Sequence, residues 1–407
     1  MSDNFNLTVV QEQEAAESDK PPSSFPRPAR PWRVALIANV KGETALPVDA
    51  PADAGAEFDR IETIQAILDS IESDGHHAIL IPADSNLPFA LRDVRPDICF
   101  NIAEGQIGDS REAQVPALLE MFNIPYTASR VLANAIGLDK TMTKRIWRQQ
   151  GLPTAAFQEF ATGYEPLSRT LAFPMFVKPA REGTGMGMDE NAIVCSEAEL
   201  RRRIAWVIEE YRQPALVEEY LPGREFTVAV LGRSDAALYS PRPELYQRDG
   251  FHRFPVLEVE STHSVTPGVY GHAAKTKTFG EDGMPGIYCP ANIDPGLADY
   301  LNTLAIRGHQ AIGSLDVSRI DFRLNEEGKP RMLEINTLPG LTPDFSDLCM
   351  IAKADGLTYR QLIIEILYLG ASRYGLLPAR TGFPLRAVRR AQQQVRKPAP
   401  VTMGAVA

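Results

Sequence analysis

The sequence predicts an α/β fold: a doubly wound parallel sheet at the N-terminal end, followed by units that mix strands and helices. Three observations carry this. Apolar runs of strand length alternate with segments of helical periodicity over residues 32–130. A glycine-rich loop, REGTGMGM, lies between a strand and a helix near the middle of the chain. Further on, two mostly apolar strands flank the turn NEEGK and are interrupted by charges.

In chain order, WRVALIANV reads as a strand. AEFDRIETIQAILDSIESDG has apolar residues at Ile61, Ile64, Ile67, Leu68 and Ile71, the spacing of a helix, closed at Gly75. HHAILIPAD and RPDICFNIAE are strands, and REAQVPALLEMFNI is a helix. VLANAIGLDKTMTKRIWRQQG is read as one helical stretch closed by Gly151. TLAFPMFVKPA is a strand. SEAELRRRIAWVIEEY is a helix opened by a Ser-x-x-Glu capping box. PALVEEYL and REFTVAVLG are strands, and the pattern is irregular from Gly232 to a helix at GLADYLNTLAIRGHQAIG. The charged hairpin and a last helix at TYRQLIIEILYLGAS complete the chain. The expected organisation is a disordered leader (1–31), an N-terminal α/β domain (32–130), a central unit (131–215), a C-terminal unit (216–377) and a basic flexible tail (378–407).

The 407 residues are 44% hydrophobic and 23% charged, ordinary for a folded protein, with a net charge of −10 that argues against nucleic acid as a partner. Cys99, Cys195, Cys289 and Cys349 lie far apart, which excludes a CxxC zinc site and points to reduced thiols. No signal peptide is visible, and no apolar run reaches the roughly 18 residues that span a bilayer. The expected location is the cytoplasm, with no membrane partner. His76 and His77 read as exposed turn residues, and no metal-binding histidine spacing or nucleophile elbow occurs.

Five constellations could carry chemistry. In the hairpin SRIDFRLNEEGKPRMLEIN, alternation puts Arg319, Asp321 and Arg323 on one face, and Glu334 and Asn336 together. A turn centred on Glu327–Gly328 pairs Asp321 with Glu334 and Arg319 with Asn336. Two facing carboxylates repel unless a cation lies between them, and Mg²⁺ suits such ligands. A surface hairpin with an Arg–Asp salt bridge explains the same pattern equally well. FPMFVKPAREGTGMGM places Lys178 at a strand end before Gly183, Gly185 and Gly187, and such a loop can cradle phosphates; it is neither a Walker A loop nor a dinucleotide fingerprint. In ALVEEYLPGREFTVAVLG, Glu218, Glu219 and Glu225 could meet a ribose or a base; a solvated strand end is the plainer reading. Lys140, Lys275 and Lys277 are lone lysines, ordinarily surface groups. EINTLPGLTPDFSDL offers donors near Gly340 for an oxyanion, or a simple strand-to-helix turn.

The order of these five features resembles the ATP-grasp superfamily, and within it the D-alanine–D-alanine ligases, over about residues 95–370. The resemblance implies a Rossmann-like N-terminal domain, a central ATP lid and a C-terminal metal-binding α+β domain. It implies ATP contacts at Lys140, Lys178, Glu218, Leu221, Glu225 and Lys275, and Mg²⁺ or Mn²⁺ ligands at Asp321, Glu334 and Asn336. Arg319, Gly340 and Thr184 would act on the reacting groups. The substrate half departs from the family. ANVKGETALPVDAPADAGAEF replaces its N-terminal motif, leaving Glu57 as a positional candidate. Glu104 stands in place of a histidine, Thr276 follows Lys275 where a tyrosine is usual, and Ser346 falls one residue late. The implied activity is Mg²⁺- and ATP-dependent joining of two amino acids through an acyl phosphate: D-alanine–D-alanine ligation for peptidoglycan synthesis, or a close relative. A ligase for other amino acids is the alternative. A non-catalytic nucleotide-binding module and a dinucleotide oxidoreductase rank lower, and a homodimer is left open.

Overall fold

The computed structural model describes residues 27–262, 264–266, 268–275 and 281–380. The expected leader up to residue 26 and the expected tail from 381 lie outside the described residues, as does Lys277. Arg30, inside the expected leader, is paired with Asp97.

The first sheet is parallel, with β1 (Arg33–Ala38) between β2 (His77–Pro82) and β3 (Ile98–Asn101). Alternation along β1 builds two cores. Val34, Leu36 and Ala38 pack toward α1 (Ile61–Ser73), while Ala35 and Ile37 pack toward α2 (Leu87–Val94) and α3 (Gln114–Met121). A single 3-10 turn, Arg111–Ala113, precedes α3 where a longer helix was expected.

The expected single helix over 131–151 is two: α4 (Val131–Leu138) and α5 (Lys140–Gln149). Asp139 breaks it, because its backbone is extended and its carboxylate accepts the Met142 N–H at 2.8 Å as an N-cap. The second sheet has the order β4–β7–β5–β6, from β4 (Phe157–Phe160), β5 (Met175–Pro179), β6 (Ile193–Val194) and β7 (Ala215–Glu219), covered by α6 (Glu197–Tyr211). Ser196 caps α6 by accepting the Glu199 N–H. The boundary expected at 215/216 runs through β7, which pairs with β4 and β5, so we propose that this unit ends after Glu219.

The third sheet contains β8 (Glu225–Gly232), β9 (Phe251–Arg253) and β10 (Leu257–Glu260). Beyond α7 (His272–Lys275) it adds β11 (Gly286–Tyr288), and beyond α8 (Pro295–Ala311) it adds β12 (Val317–Leu324) and β13 (Pro330–Asn336). The order is β11–β10–β8–β12–β13, with β9 also on β8. Phe226, Val228 and Val230 of β8 pack toward α8, while Ala229 and Leu231 join the core of the N-terminal sheet. That shared core is completed by α9 (Asp347–Ala354) and α10 (Tyr359–Ser372); α10 packs on α1. No helix among the described residues is long and apolar enough to cross a membrane.

The β12–β13 hairpin pairs Arg319 with Asn336 and Asp321 with Glu334, as expected, but not through one continuous register. Nearer the turn the pairs are Phe322–Met332, Arg323–Arg331 and Leu324–Pro330, so Leu333 is an extra, bulged residue. Had the register nearest the turn run on unbroken, Asp321 would face Leu333 and Glu334 would fall opposite Ile320.

Glu365 of α10 is fully buried and accepts hydrogen bonds from Ser240 (2.9 Å) and Tyr246 (2.8 Å). Burial outweighs these bonds and raises its pKa from 4.5 to about 7. The raised value means that its contribution to stability is full below pH 4.5 and is lost as pH rises through about 7, a change of about 3 kcal/mol at most. Thermal melts should therefore find Glu365→Gln more stable than the parent at pH 8, with the advantage gone at pH 5.

Candidate active site

The polar row on β8, β12 and β13 sits at the centre of a cleft. Directly paired positions place Glu225 beside Arg323, Thr227 beside Asp321, and Asp321 beside Glu334. Arg319 binds Asp321 with two hydrogen bonds (3.1 and 3.0 Å) and Asp347 at 3.2 Å. Thr227 donates to the same Asp321 at 2.9 Å. Burial works against the Arg319 charge, but Asp321 and Asp347 more than offset it and hold the guanidinium well above its ordinary pKa. The salt-bridged reading of the hairpin is thus present in the molecule, and it occupies only the Asp321 side of the patch.

Glu334 faces the other way, toward lysines. Its Oε2 lies 3.5 Å from Lys140 Nζ and 3.9 Å from Lys178 Nζ. Lys140, at the first turn of α5, also donates to the Glu182 carbonyl. Behind them, Glu218 of β7 is buried between Lys144 (2.6 Å) and Lys178 (3.0 Å). Lys144 donates further to Thr154 Oγ1 at 2.9 Å and to the Met332 carbonyl at 3.1 Å. Burial tends to raise the Glu218 pKa, yet the two ammonium groups win and hold it below the ordinary range. Burial lowers Lys144, whereas Lys178 ends raised because Glu218 and Glu334 overcome its burial. Three lysines therefore meet two carboxylates, an excess of positive charge suited to phosphate.

Two cavities share Tyr270 in their walls, and the smaller is also lined by Lys178 and Glu218. One, about 50 Å³, is walled by Phe176, Glu219, Leu221, Glu225, Tyr270 and Leu333. The other, about 140 Å³, brings together Glu57, Glu104, Thr184, Arg319, Gly340 and Ser346. Asn336 also lines it, as do Tyr270 and Asp347. Glu57 binds Arg111 at 2.8 Å, and Arg111 also binds Glu182 at 2.9 Å. Burial, then Glu57, Glu112 and Asp59, push the Glu104 carboxyl well above its ordinary pKa. Buried Glu112 is pushed up to about 7 by burial and Glu57. Ser346 accepts the Thr342 N–H at 3.0 Å, and its hydroxyl lies 2.9 Å from where a Gly340 Cβ would stand.

The glycine-rich loop closes over the cluster. Thr184 has a left-handed backbone (φ 48°), a costly conformation for a β-branched residue. The Gly185 carbonyl accepts the His272 N–H at 3.0 Å, and a Cβ on Gly185 would come within 2.7 Å of the Gly271 backbone. The segment before α7 thus lies on the loop. Lys275 is the last residue of α7, and its side chain is outside the description.

Sequence reasoning passed over Lys144, Asp347 and Arg111. Lys144 had a signal: it follows Lys140 by four residues on one helix and so shares its face. Asp347 follows Ser346 directly. Arg111 has no local sign, since its partners Glu57 and Glu182 lie 54 and 71 residues away.

The donor set fits a hard divalent cation: Asp321, Glu334 and Asn336 present two carboxylates and an amide oxygen at paired positions on one face. Among the described residues no three His, Cys, Asp or Glu side chains form a metal cage of their own, so further ligands would come from bound phosphate.

The arrangement of three sheets around a cleft is the ATP-grasp fold. It superposes on a crystal structure of D-alanine–D-alanine ligase from Bacillus anthracis complexed with ATP, with a TM-score of 0.60 at 19% identity, covering 89% of this chain and 99% of that one. Residues 146–368 match the family model described as D-ala D-ala ligase C-terminus, and the chain belongs to the D-alanine–D-alanine ligase family. Relatives include the D-alanine–D-alanine ligase of Alcanivorax borkumensis, 32% identical over 84% of this chain and 94% of its own length. Another is a Sinorhizobium fredii protein described as uncharacterized, 30% identical over 86% of this chain and 92% of its own.

Removing one partner from a buried ion pair costs about 3–5 kcal/mol. Urea unfolding should show that loss for Lys144→Met, which strands Glu218 beside a single lysine. Lys353→Met, which breaks an exposed pair with Asp344, should leave the midpoint unchanged.

Proposed function

We propose that the protein is an ATP- and Mg²⁺-dependent carboxylate–amine ligase that joins two amino acids, with D-alanine as the first substrate to test. The observation that carries this is a cavity lined by Lys178 and Glu218 that shares the wall residue Tyr270 with a second cavity lined by Arg319 and Asn336. A nucleotide in the first cavity would direct its terminal phosphate past the lysines toward the second.

In this reading Phe176 and Leu333 enclose the base, the Leu221 segment borders it, and Glu225 meets the ribose. Glu218 holds Lys178 in place, and Lys140 and Lys178 offset the negative charge of the phosphates. Asp321, Glu334 and Asn336 would hold Mg²⁺, which neutralises the charge that develops on the transferring phosphoryl group. A carboxylate oxygen of the first amino acid attacks the γ-phosphorus, ADP leaves, and an acyl phosphate forms. The amine of the second amino acid then attacks the acyl carbon and loses a proton as phosphate departs. Arg319 and the backbone near Gly340 face the oxyanion of that step. Thr184 and the segment before α7 cover the cavity and keep water from the acyl phosphate. The nucleotide cavity is about 50 Å³, against the roughly 300 Å³ or more of ordinary ligand pockets, so nucleotide entry requires Met188, Val269 and Tyr270 to give way.

A second reading keeps the chemistry and changes the substrates. Glu104, which lines the second cavity where the family carries a histidine, favours an amino-acid pair other than two D-alanines. Phosphate release measured across a panel of D- and L-amino acids separates the two. Turnover with D-alanine alone supports the first reading, and turnover only with another pair rejects it. Asp321→Asn and Glu334→Gln should each lower the rate by at least about 100-fold while the protein stays folded. Near-normal rates with unchanged Mg²⁺ dependence would remove the metal assignment.

A further inference from the structure

The segment 41–60, between β1 and α1, contains no helix or strand of its own, yet it crosses to the central unit and holds the glycine-rich loop. Asp53 Oδ2 accepts the Gly187 N–H at 3.0 Å and the Tyr211 hydroxyl at 2.8 Å. On its other side the Gly187 carbonyl accepts from Arg203 at 2.7 Å, and Arg203 is ion-paired with Asp189. The Gly187 peptide is thus gripped by the crossing segment through its N–H and by α6 through its carbonyl. Gly187 has a φ of 69°, and a Cβ there would lie 2.6 Å from Pro179 Cγ, so a glycine is required at the gripped position. Earlier in the loop, a Cβ on Gly183 would collide with the Glu57 carboxylate, and Arg111 ties Glu57 to Glu182 and to the Arg181 carbonyl. The same loop is thus held at both ends by residues of the N-terminal unit.

We propose that Asp53 is a positioning residue, which fixes Gly187 and through it the 183–187 loop in the form that receives the phosphates of ATP. This rests on the ligase reading above. A loop with three glycines in five residues has many conformations to lose, and ordering it at the moment of binding weakens affinity. Asp53 removes that cost beforehand, because a carboxylate accepts both donors at once. Burial, then the bond to Asp53, keep the Tyr211 phenol protonated, so it remains a donor throughout the neutral range. Asp53 is distant in sequence from every nucleotide-contacting candidate and lines neither of the two cavities that share Tyr270.

The test is binding of the non-hydrolysable analogue AMP-PNP with Mg²⁺ by calorimetry, together with amide hydrogen exchange of the peptide covering 183–188. Asp53→Ala should weaken AMP-PNP binding about tenfold, the factor by which the competent loop conformation is depleted, and speed exchange in that peptide. Asp53→Asn keeps an acceptor oxygen and should restore both to near the parent values. Once a turning-over amino-acid pair is in hand, Asp53→Ala should raise KM for ATP more than KM for the amino acids. Unchanged affinity in Asp53→Ala overturns the proposal, as does an equal rise in every KM or an Asn variant as impaired as the Ala variant. If Asp53→Ala does not fold, Tyr211→Phe removes one of the two donors and should show the same changes in smaller measure; no change overturns the proposal. A parent protein that binds no AMP-PNP overturns the ligase reading and this role with it. Parent binding with equal binding by the Ala variant overturns only the role of Asp53.

Discussion

A carboxylate clasped between two ammonium groups in the interior is the constraint on which this molecule turns. Glu218 could not remain ionised in that position without Lys144 and Lys178, and neither lysine could stay charged there without it. The three side chains come from β7, α5 and β5, and Lys144 also reaches the β13 backbone at Met332. The central sheet, the helix that precedes it and the C-terminal sheet are therefore fastened at one electrostatic point. The same point leaves Lys178 facing the cleft, next to Lys140 and Glu334. Structural necessity and chemical capacity share these atoms.

Much of this was legible in the sequence, for reasons that differ by element. Strand alternation found the β12–β13 pairs because the period of two leaves few registers for a hairpin with a short turn. The candidate residues of the second cavity were found from the order of motifs, and they converge there despite spanning Glu57 to Ser346. What escaped had no local signature. The break at Asp139 looked like helical continuity, since one capping residue interrupts an otherwise periodic run. The strands β9, β10 and β11 are only three or four residues long, too short for periodicity to register. The segment 41–60 has neither period nor pattern, and its meaning lies in Gly187 and Tyr211, more than 130 residues away.

Of the departures from the family pattern, those at Glu57, Glu104 and Ser346 line one cavity. Lys140 and Lys178 lie against Glu334 of the acidic hairpin, whereas on the side lined by Glu57 and Glu104 Arg111 binds Glu57, and burial pushes the Glu104 and Glu112 carboxyls up. On the ligase reading proposed above, phosphate handling and amino-acid recognition would use different walls of one cleft, so the second can be rebuilt while the first is retained.

The bulge at Leu333 has a consequence for how such a chain can change. At most positions in a strand a deletion slips the register and turns the residues beyond it to the other face of the sheet. Here the loss of Leu333 alone would close the bulge into a regular ladder and leave Glu334 opposite Asp321 and Asn336 opposite Arg319. The strand can therefore change length at this position without taking Glu334 away from Asp321. Descendants of this sequence could drop the residue at 333, giving up the local bend of the bulge and one wall residue of the smaller cavity, and keep the facing carboxylates.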